Sequence, residues 1–305
     1  MGRPVVAALL ALLLAGCTPG PQPTPPAETF PPGSSAHTLE HDGLDRSYRV
    51  YVPTTLTEGP STVVLMLHGG FGSAEQAELA YGWDAAAEEL GWVIVYPEGV
   101  RRSWNGGDCC GAAAARDLDD VGFIEAVVAE VSAGIEVDSQ RIFAAGMSNG
   151  GIMAYRLACE SDLVAAIGVV SGTMLVDCDP PGQVSVMHIH GALDESLPPD
   201  GSPGGGTQTI DGPPLSDVVS HWLQVDGCGR PVASEWGDPL VTAFGTNECA
   251  DQTAVVYLEI QDAGHQWPGA RSSEIRDELG GDPPSTRLDA TAELAAFFAA
   301  HPRAE

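Results

Sequence analysis

The chain has 305 residues, with 42 acidic side chains against 13 basic ones, and carries a formal net charge of −29. Every basic residue is an arginine; lysine is absent. A surface this acidic repels nucleic acid and anionic lipid headgroups, so neither is expected as a direct partner.

The first 16 residues have the pattern of an export signal: Arg3, then an apolar run from Val5 to Gly16 that is too short to span a bilayer. Leu14-Ala15-Gly16-Cys17 resembles the bacterial lipobox, which implies cleavage before Cys17, a lipid on its sulfur and a place on the outer face of the cell membrane. Residues 17–36 are then a tether, with seven prolines among residues 18–36. Polyproline geometry at about 3.1 Å per residue would hold a domain roughly 60 Å from its anchor. Residues 37–305 suit one α/β domain.

Arg46 to Val52 alternates and predicts a strand, and Thr62 to Leu67 is a continuous apolar run, as in a strand buried on both faces. Ser73 to Leu90 has helical spacing up to Gly91. Trp92 to Tyr96 predicts a strand stopped by Pro97, and Asp119 or Asp120 predicts the cap of a helix through Val131. Arg141 to Ala145 predicts a strand, followed by a helix to Cys159 and strands at Leu163 to Val170 and Val184 to Ile189. Asp200 to Pro214 is a loop, Leu215 to Val225 a helix, Ala254 to Ile260 a last strand and Leu288 to Ala299 a closing helix. Strands alternating with helices predict a mostly parallel sheet covered on both faces, with the chemistry beyond the carboxyl ends of the strands.

At the end of the strand Arg141 to Ala145, Gly146-Met-Ser148-Asn-Gly150 matches the nucleophile elbow of α/β-hydrolases, a sharp strand-to-helix turn that exposes a serine hydroxyl. A serine needs a base, and the base an orienting acid, in the chain order serine, acid, histidine. Asp194, just past the strand Val184 to Ile189, is the candidate acid, with Glu195 beside it as the fallback. Of the histidines after Asp194, His221 falls in a helix and His301 in the tail, which leaves His265 in a loop after the strand ending at Ile260. Asp262 reads as a turn residue. Donors for the oxyanion are expected from the Asn149 N–H and from the loop His68-Gly-Gly70-Phe71, where Gly70 is the first choice and Phe71 the alternative. His68 is expected to support that loop. His188 and His190 read as core histidines, while Trp104 and Trp267 are candidates to line the substrate pocket.

Cys109, Cys110, Cys159, Cys178, Cys228 and Cys249 are even in number, which in an exported chain points to disulfides. Cys228 with Cys249, on either side of a hairpin, is the preferred pair. No zinc-like cysteine spacing is present, and neither metal nor cofactor is expected.

Leu67-His-Gly-Gly70, Val95-Tyr-Pro-Glu-Gly99, Ser103-Trp-Asn-Gly-Gly-Asp-Cys-Cys-Gly111, Gly146-Met-Ser-Asn-Gly-Gly151, His190-Gly-Ala-Leu-Asp194 and Gly264-His-Gln-Trp-Pro-Gly269 together resemble exported polyhydroxybutyrate depolymerases and feruloyl or acetylxylan esterases of the α/β-hydrolase fold, lipoproteins among them. The resemblance spans residues 40–300 and implies a serine esterase with Ser148, Asp194 and His265 as its triad, acting on short-chain, hydroxyalkanoate or feruloyl and acetyl sugar esters. An acyltransferase on the same fold and a non-catalytic surface binding protein are the alternatives.

Overall fold

The computed structural model describes Gly2 and residues 30–205, 210–271 and 282–304. The expected signal segment (apart from Gly2) and Cys17 lie outside them. Strands β1 (Gly33–His41) and β2 (Leu44–Val52) form a hairpin, and β3 (Ser61–Leu67) leads into two short helices, α1 (Ala74–Ala80) and α2 (Trp83–Leu90). Then come β4 (Val93–Pro97), α3 (Gly111–Ala115), α4 (Asp120–Gly134), β5 (Val137–Met147), α5 (Asn149–Glu160), β6 (Ala166–Val170) and β7 (Ser185–Gly191). The chain closes with α6 (Leu215–Val225), the hairpin β8 (Val232–Trp236) and β9 (Asp238–Thr246), then β10 (Val255–Ile260) and α7 (Ala290–Ala300). One sheet holds all ten strands in the order β1-β2-β4-β3-β5-β6-β7-β10-β9-β8. The run from β4 to β10 is parallel, and the hairpins at its two edges pair antiparallel. This is the α/β-hydrolase architecture.

The apolar runs are continuous because both faces of the central strands are covered. In β3, Val63, Leu65 and Leu67 join the core under α4, α5 and α6, while Val64 and Met66 join the core under α1, α2 and α7. Each such side chain removed from water contributes roughly 1.5–3 kcal/mol.

Two local differences from the sequence reading have physical causes. The helical spacing of Ser73 to Leu90 breaks into α1 and α2 at Gly82, which takes φ +82°. β1 starts at Gly33, so four residues assigned to the tether are part of the sheet. Its residues alternate between half-buried and exposed, with no apolar signal to mark it. The cysteines pair as Cys109–Cys110, Cys159–Cys178 and Cys228–Cys249, and the last pair closes the base of the β8–β9 hairpin.

Candidate active site

β5 ends in a turn that only small residues permit. A Cβ on Gly146 would drive into the Gly150 carbonyl, and one on Gly150 into the carbonyls of Leu67 and His68. Ser148 occupies the turn at φ +52°, ψ −118°, a conformation that side chains rarely adopt. Its own N–H is tied to the Val170 carbonyl at 2.9 Å. The hydroxyl is thereby held at the carboxyl edge of the sheet, in front of the first turn of α5.

β7 and β10 are parallel neighbours, and the loops beyond them deliver the other two groups. The Ser148 hydroxyl donates to His265 Nε2 at 2.8 Å, and His265 Nδ1–H donates to Asp194 Oδ2 at 2.7 Å. Asp194 is buried, and its Oδ1 accepts from the N–H groups of Ser196 and Leu197 at 2.9 and 2.8 Å. Burial alone would raise its pKa; hydrogen bonds from His190 and His265 outweigh burial and hold the carboxyl well below the usual carboxylate range. Asp282 accepts from the His265 N–H at 2.6 Å and fixes the loop from the other side. Glu195 lends only its carbonyl, which accepts from the Gly205 N–H at 2.7 Å. Asp262 pairs with Arg287 on the surface, at 2.7 Å.

His188 and His190 are buried, and they form a row that runs into the acid. His190 Nε2–H donates to the Leu197 carbonyl at 2.9 Å and lies 3.2 Å from Asp194 Oδ2. Its Nδ1 accepts from His188 Nε2–H at 3.0 Å, and His188 Nδ1 accepts from the Tyr155 hydroxyl at 2.8 Å. Burial, then the neighbouring His190, hold His188 well below its ordinary pKa, so the ring is neutral; burial also raises the Tyr155 phenol. The sequence reading left these residues as inert core. The i, i+2 spacing places His188 and His190 on one face of β7, but Tyr155 on α5 lies 33 positions before His188, and nothing local advertises that link.

The loop after β3 lies against the serine. A Cβ on Gly69 would meet Ser148 Cβ at 3.6 Å, and one on Gly70 would meet Asn149 Cβ at 3.8 Å. Phe71 N–H is committed to the Arg102 carbonyl at 2.9 Å, which removes the alternative donor and leaves Gly70. Asn149 is the first residue of α5, where an N–H has no intrahelical acceptor. Its side chain clamps the Trp104 backbone, accepting from Trp104 N–H at 2.7 Å and donating to Trp104 O at 3.0 Å. His68 Nδ1–H donates to the Gly69 carbonyl at 2.8 Å, and Nε2 accepts from Gly99 N–H at 2.9 Å. Burial lowers its pKa to about 4, so it holds the loop as a neutral ring.

Trp104 and Trp267 do not line a pocket. Both are buried: Trp104 Nε1–H donates to the His68 carbonyl at 3.0 Å, while Trp267 Nε1–H donates to Thr291 at 3.2 Å and its ring stacks on Tyr81. An indole that finds an internal acceptor is a structural side chain. Two large apolar side chains on the site's loops are exposed: Phe71, on the glycine loop, and Leu193, whose N–H bonds the carbonyl of Ala263, two residues before His265. Between the loops after β6 and β7 a cleft opens, lined by Gly172, Thr173, Leu197, Pro198 and Ile210 among others. The Thr173 hydroxyl is buried there without a partner among the described residues.

Residues 46–196 match the family model described as esterase PHB depolymerase. A protein of Nocardia uniformis subsp. tsuyamanensis named as an esterase, NocK, is 30% identical over 292 residues, covering 82% of this chain and 83% of that protein. The chain belongs to the esterase PHB depolymerase family. As a member of this family it is a carboxylic ester hydrolase. Feruloyl esterase C of Emericella nidulans is 32% identical over 165 residues, covering 50% of this chain and 57% of that protein. The solved acetyl xylan esterase from Aspergillus awamori shares the fold with a TM-score of 0.58 at 15% identity, covering 81% of this chain and 98% of that one.

Proposed function

We propose that this family member is an exported serine esterase in which Ser148 attacks the ester carbonyl. The observation that carries the reading is the row Ser148–His265–Asp194, closed by hydrogen bonds of 2.8 and 2.7 Å. His265 takes the serine proton as the C–O bond forms, and Asp194 orients the ring and stabilises its charged form. The N–H groups of Gly70 and Asn149 receive the oxyanion. His265 then protonates the leaving alcohol, and water, activated by the same ring, hydrolyses the acyl-enzyme. Each of these steps is assigned to a group of the protein or to water.

Esters of short acyl groups, hydroxyalkanoates or feruloyl and acetyl sugars suit a serine presented at the carboxyl end of the sheet. Replacing Ser148 with alanine is expected to abolish turnover of p-nitrophenyl acetate and butyrate with an unchanged melting temperature. Retained turnover would overturn the assignment.

The export signal and Cys17 lipobox support a lipid-anchored location on the outer face of the membrane, and three disulfides support an oxidising compartment. Cells expressing the full chain are expected to incorporate labelled palmitate into it, and Cys17→Ala to abolish the label. An unlabelled wild-type chain would overturn the anchor.

A further inference from the structure

We propose that Arg101 and Arg102 form a subsite for a carboxylate carried by the ester substrate. The proposal rests on the esterase reading and narrows it to esters bearing an anionic group near the scissile bond.

The two residues are the only adjacent pair of cations in the sequence. Six other arginines are held by carboxylates: Arg46, Arg49, Arg141, Arg156, Arg287 and Arg303 each have one within 4.0 Å, while Arg116 and Arg230 stand singly on the surface. Arg101 and Arg102 are exposed and have no ion-pair partner among the described residues, in a chain with 42 acidic groups. Glu98 feels the charge of Arg102 through space, but its Oε2 is occupied as the acceptor for the Ala74 N–H at 2.7 Å.

Their position is tied to the site by the backbone. Arg102 O accepts from Phe71 N–H at 2.9 Å, and Arg102 Nη1 donates to Phe71 O at 3.3 Å. Phe71 directly follows Gly70, the oxyanion donor, so the guanidinium stands within about 10 Å of the reacting carbonyl. Phe71, Arg101 and Arg102 all adopt left-handed backbone, at φ +64°, +51° and +62°. Non-glycine residues held this way are concentrated at functional sites. Arginine presents a planar fork matched to a carboxylate. A free carboxylate one hydroxyacid unit from the ester, as at the end of a short hydroxyalkanoate oligomer, falls within that reach.

The charge balance makes the proposal sharp. A net charge of −29 repels an anionic substrate from most directions, so a preference for one requires a local cationic element. The experiment compares kcat/KM for two pairs of esters with that for their methyl-capped forms. In 3-butyryloxybutyrate the carboxylate lies on the alcohol side; in monophenyl succinate it lies on the acyl side. The wild type is expected to favour the free carboxylate in one pair, which identifies the side. In Arg101→Asn/Arg102→Asn, where asparagine tolerates the left-handed backbone, that ratio is expected to fall about tenfold, chiefly through KM. Arg101→Lys/Arg102→Lys is expected to restore part of it. Independently of any variant, the wild-type ratio is expected to fall as ionic strength rises from about 0.01 M to about 0.15 M. Repulsion from the net charge alone would make it rise. A ratio below one in both pairs, an unchanged ratio in the asparagine variant, or a ratio that rises with salt overturns the subsite. Failure of the wild type on p-nitrophenyl butyrate would instead overturn the esterase reading, and the subsite with it.

Discussion

His190 Nε2 and His265 Nδ1 converge on a single atom, Oδ2 of Asp194, from 3.2 and 2.7 Å. The acid is thus held from behind by a row that starts at Tyr155, and only one of its two histidine contacts faces the serine. Replacing His190 with alanine would free Oδ2 on that side and leave His188 Nε2–H buried without an acceptor, at a cost of about 1–3 kcal/mol. His190→Ala is expected to lower kcat roughly tenfold to a hundredfold with little change in KM, as for an interaction made only in the transition state. His190→Gln, which can still donate towards Oδ2, is expected to recover part of the loss. If kcat per folded molecule is unchanged while the melting temperature drops, His190 is structural only.

Asp194→Asn tests the acid itself. The amide would face His265 with a donor or a weaker acceptor, so the ring loses its orientation and the partner for its charged form. A loss of about 10⁴ in kcat is expected, with KM preserved to within a few-fold. Steady-state kinetics on p-nitrophenyl butyrate, with fluorophosphonate labelling of Ser148 to count competent sites, measures both.

Gly150→Ala probes the elbow as a packing problem. The new Cβ would overlap the carbonyls of Leu67 and His68, backbone atoms at the end of β3 that cannot swing aside. Overpacking against such a wall is expected to cost about 3 kcal/mol and to displace Gly70. Gly43→Ala, on an exposed turn with open space around the new Cβ, is the control. Its φ of +70° carries conformational strain alone, so its melting temperature should fall less. Equal drops would mean that close approach is not what the elbow glycine provides.

The parts of this molecule most readable in the sequence are those where one physical pressure dominates. β3, β4, β6 and β7 are buried on both faces, and a two-faced core leaves no choice but a continuous apolar run. Ser148, Asp194 and His265 follow β5, β7 and β10, whose apolar stretches mark the strand ends, so chain order and strand ends nominate them. β1 carries no sequence signal because it lies at an edge of the sheet, where its alternation of half-buried and exposed side chains has no apolar period; β8, at the other edge, is legible only as part of a hairpin between Cys228 and Cys249. Trp104 and Trp267 were assigned to substrate because an indole in a glycine-rich loop reads the same whether it faces a pocket or a buried acceptor. Only the His68 carbonyl and the Thr291 hydroxyl, distant in sequence, decide the matter. The Tyr155–His188–His190 row was hidden for the same reason.

Two buried groups give stability opposite dependences on pH. His68 is lowered from 6.5 to about 4 by burial, so between those values the unfolded chain holds a proton there that the folded chain does not. Its contribution is therefore fully present above pH 6.5 and is lost as the pH falls towards 4. Asp226, the residue that caps the end of α6, is raised by burial from 3.8 to about 7, so the folded chain holds the extra proton. Stability from this group is lost as the pH rises from 3.8 towards 7. Each slope is of the order of 1.4 kcal/mol per pH unit, with opposite sign, and each adds to those of Asp84, raised by burial to about 6, and His188, lowered by burial, so both are read as differences from the wild type. Relative to the wild type, Asp226→Asn is expected to tilt denaturant-derived stability upward with pH between about 4 and about 7, and to raise stability at neutral pH by removing a buried carboxylate. His68→Gln is expected to tilt the profile the other way between about pH 4 and about 6.5, and to lower kcat because the Gly69 carbonyl loses the ring that pins the oxyanion loop. Parallel stability profiles for the two variants would contradict both titrations.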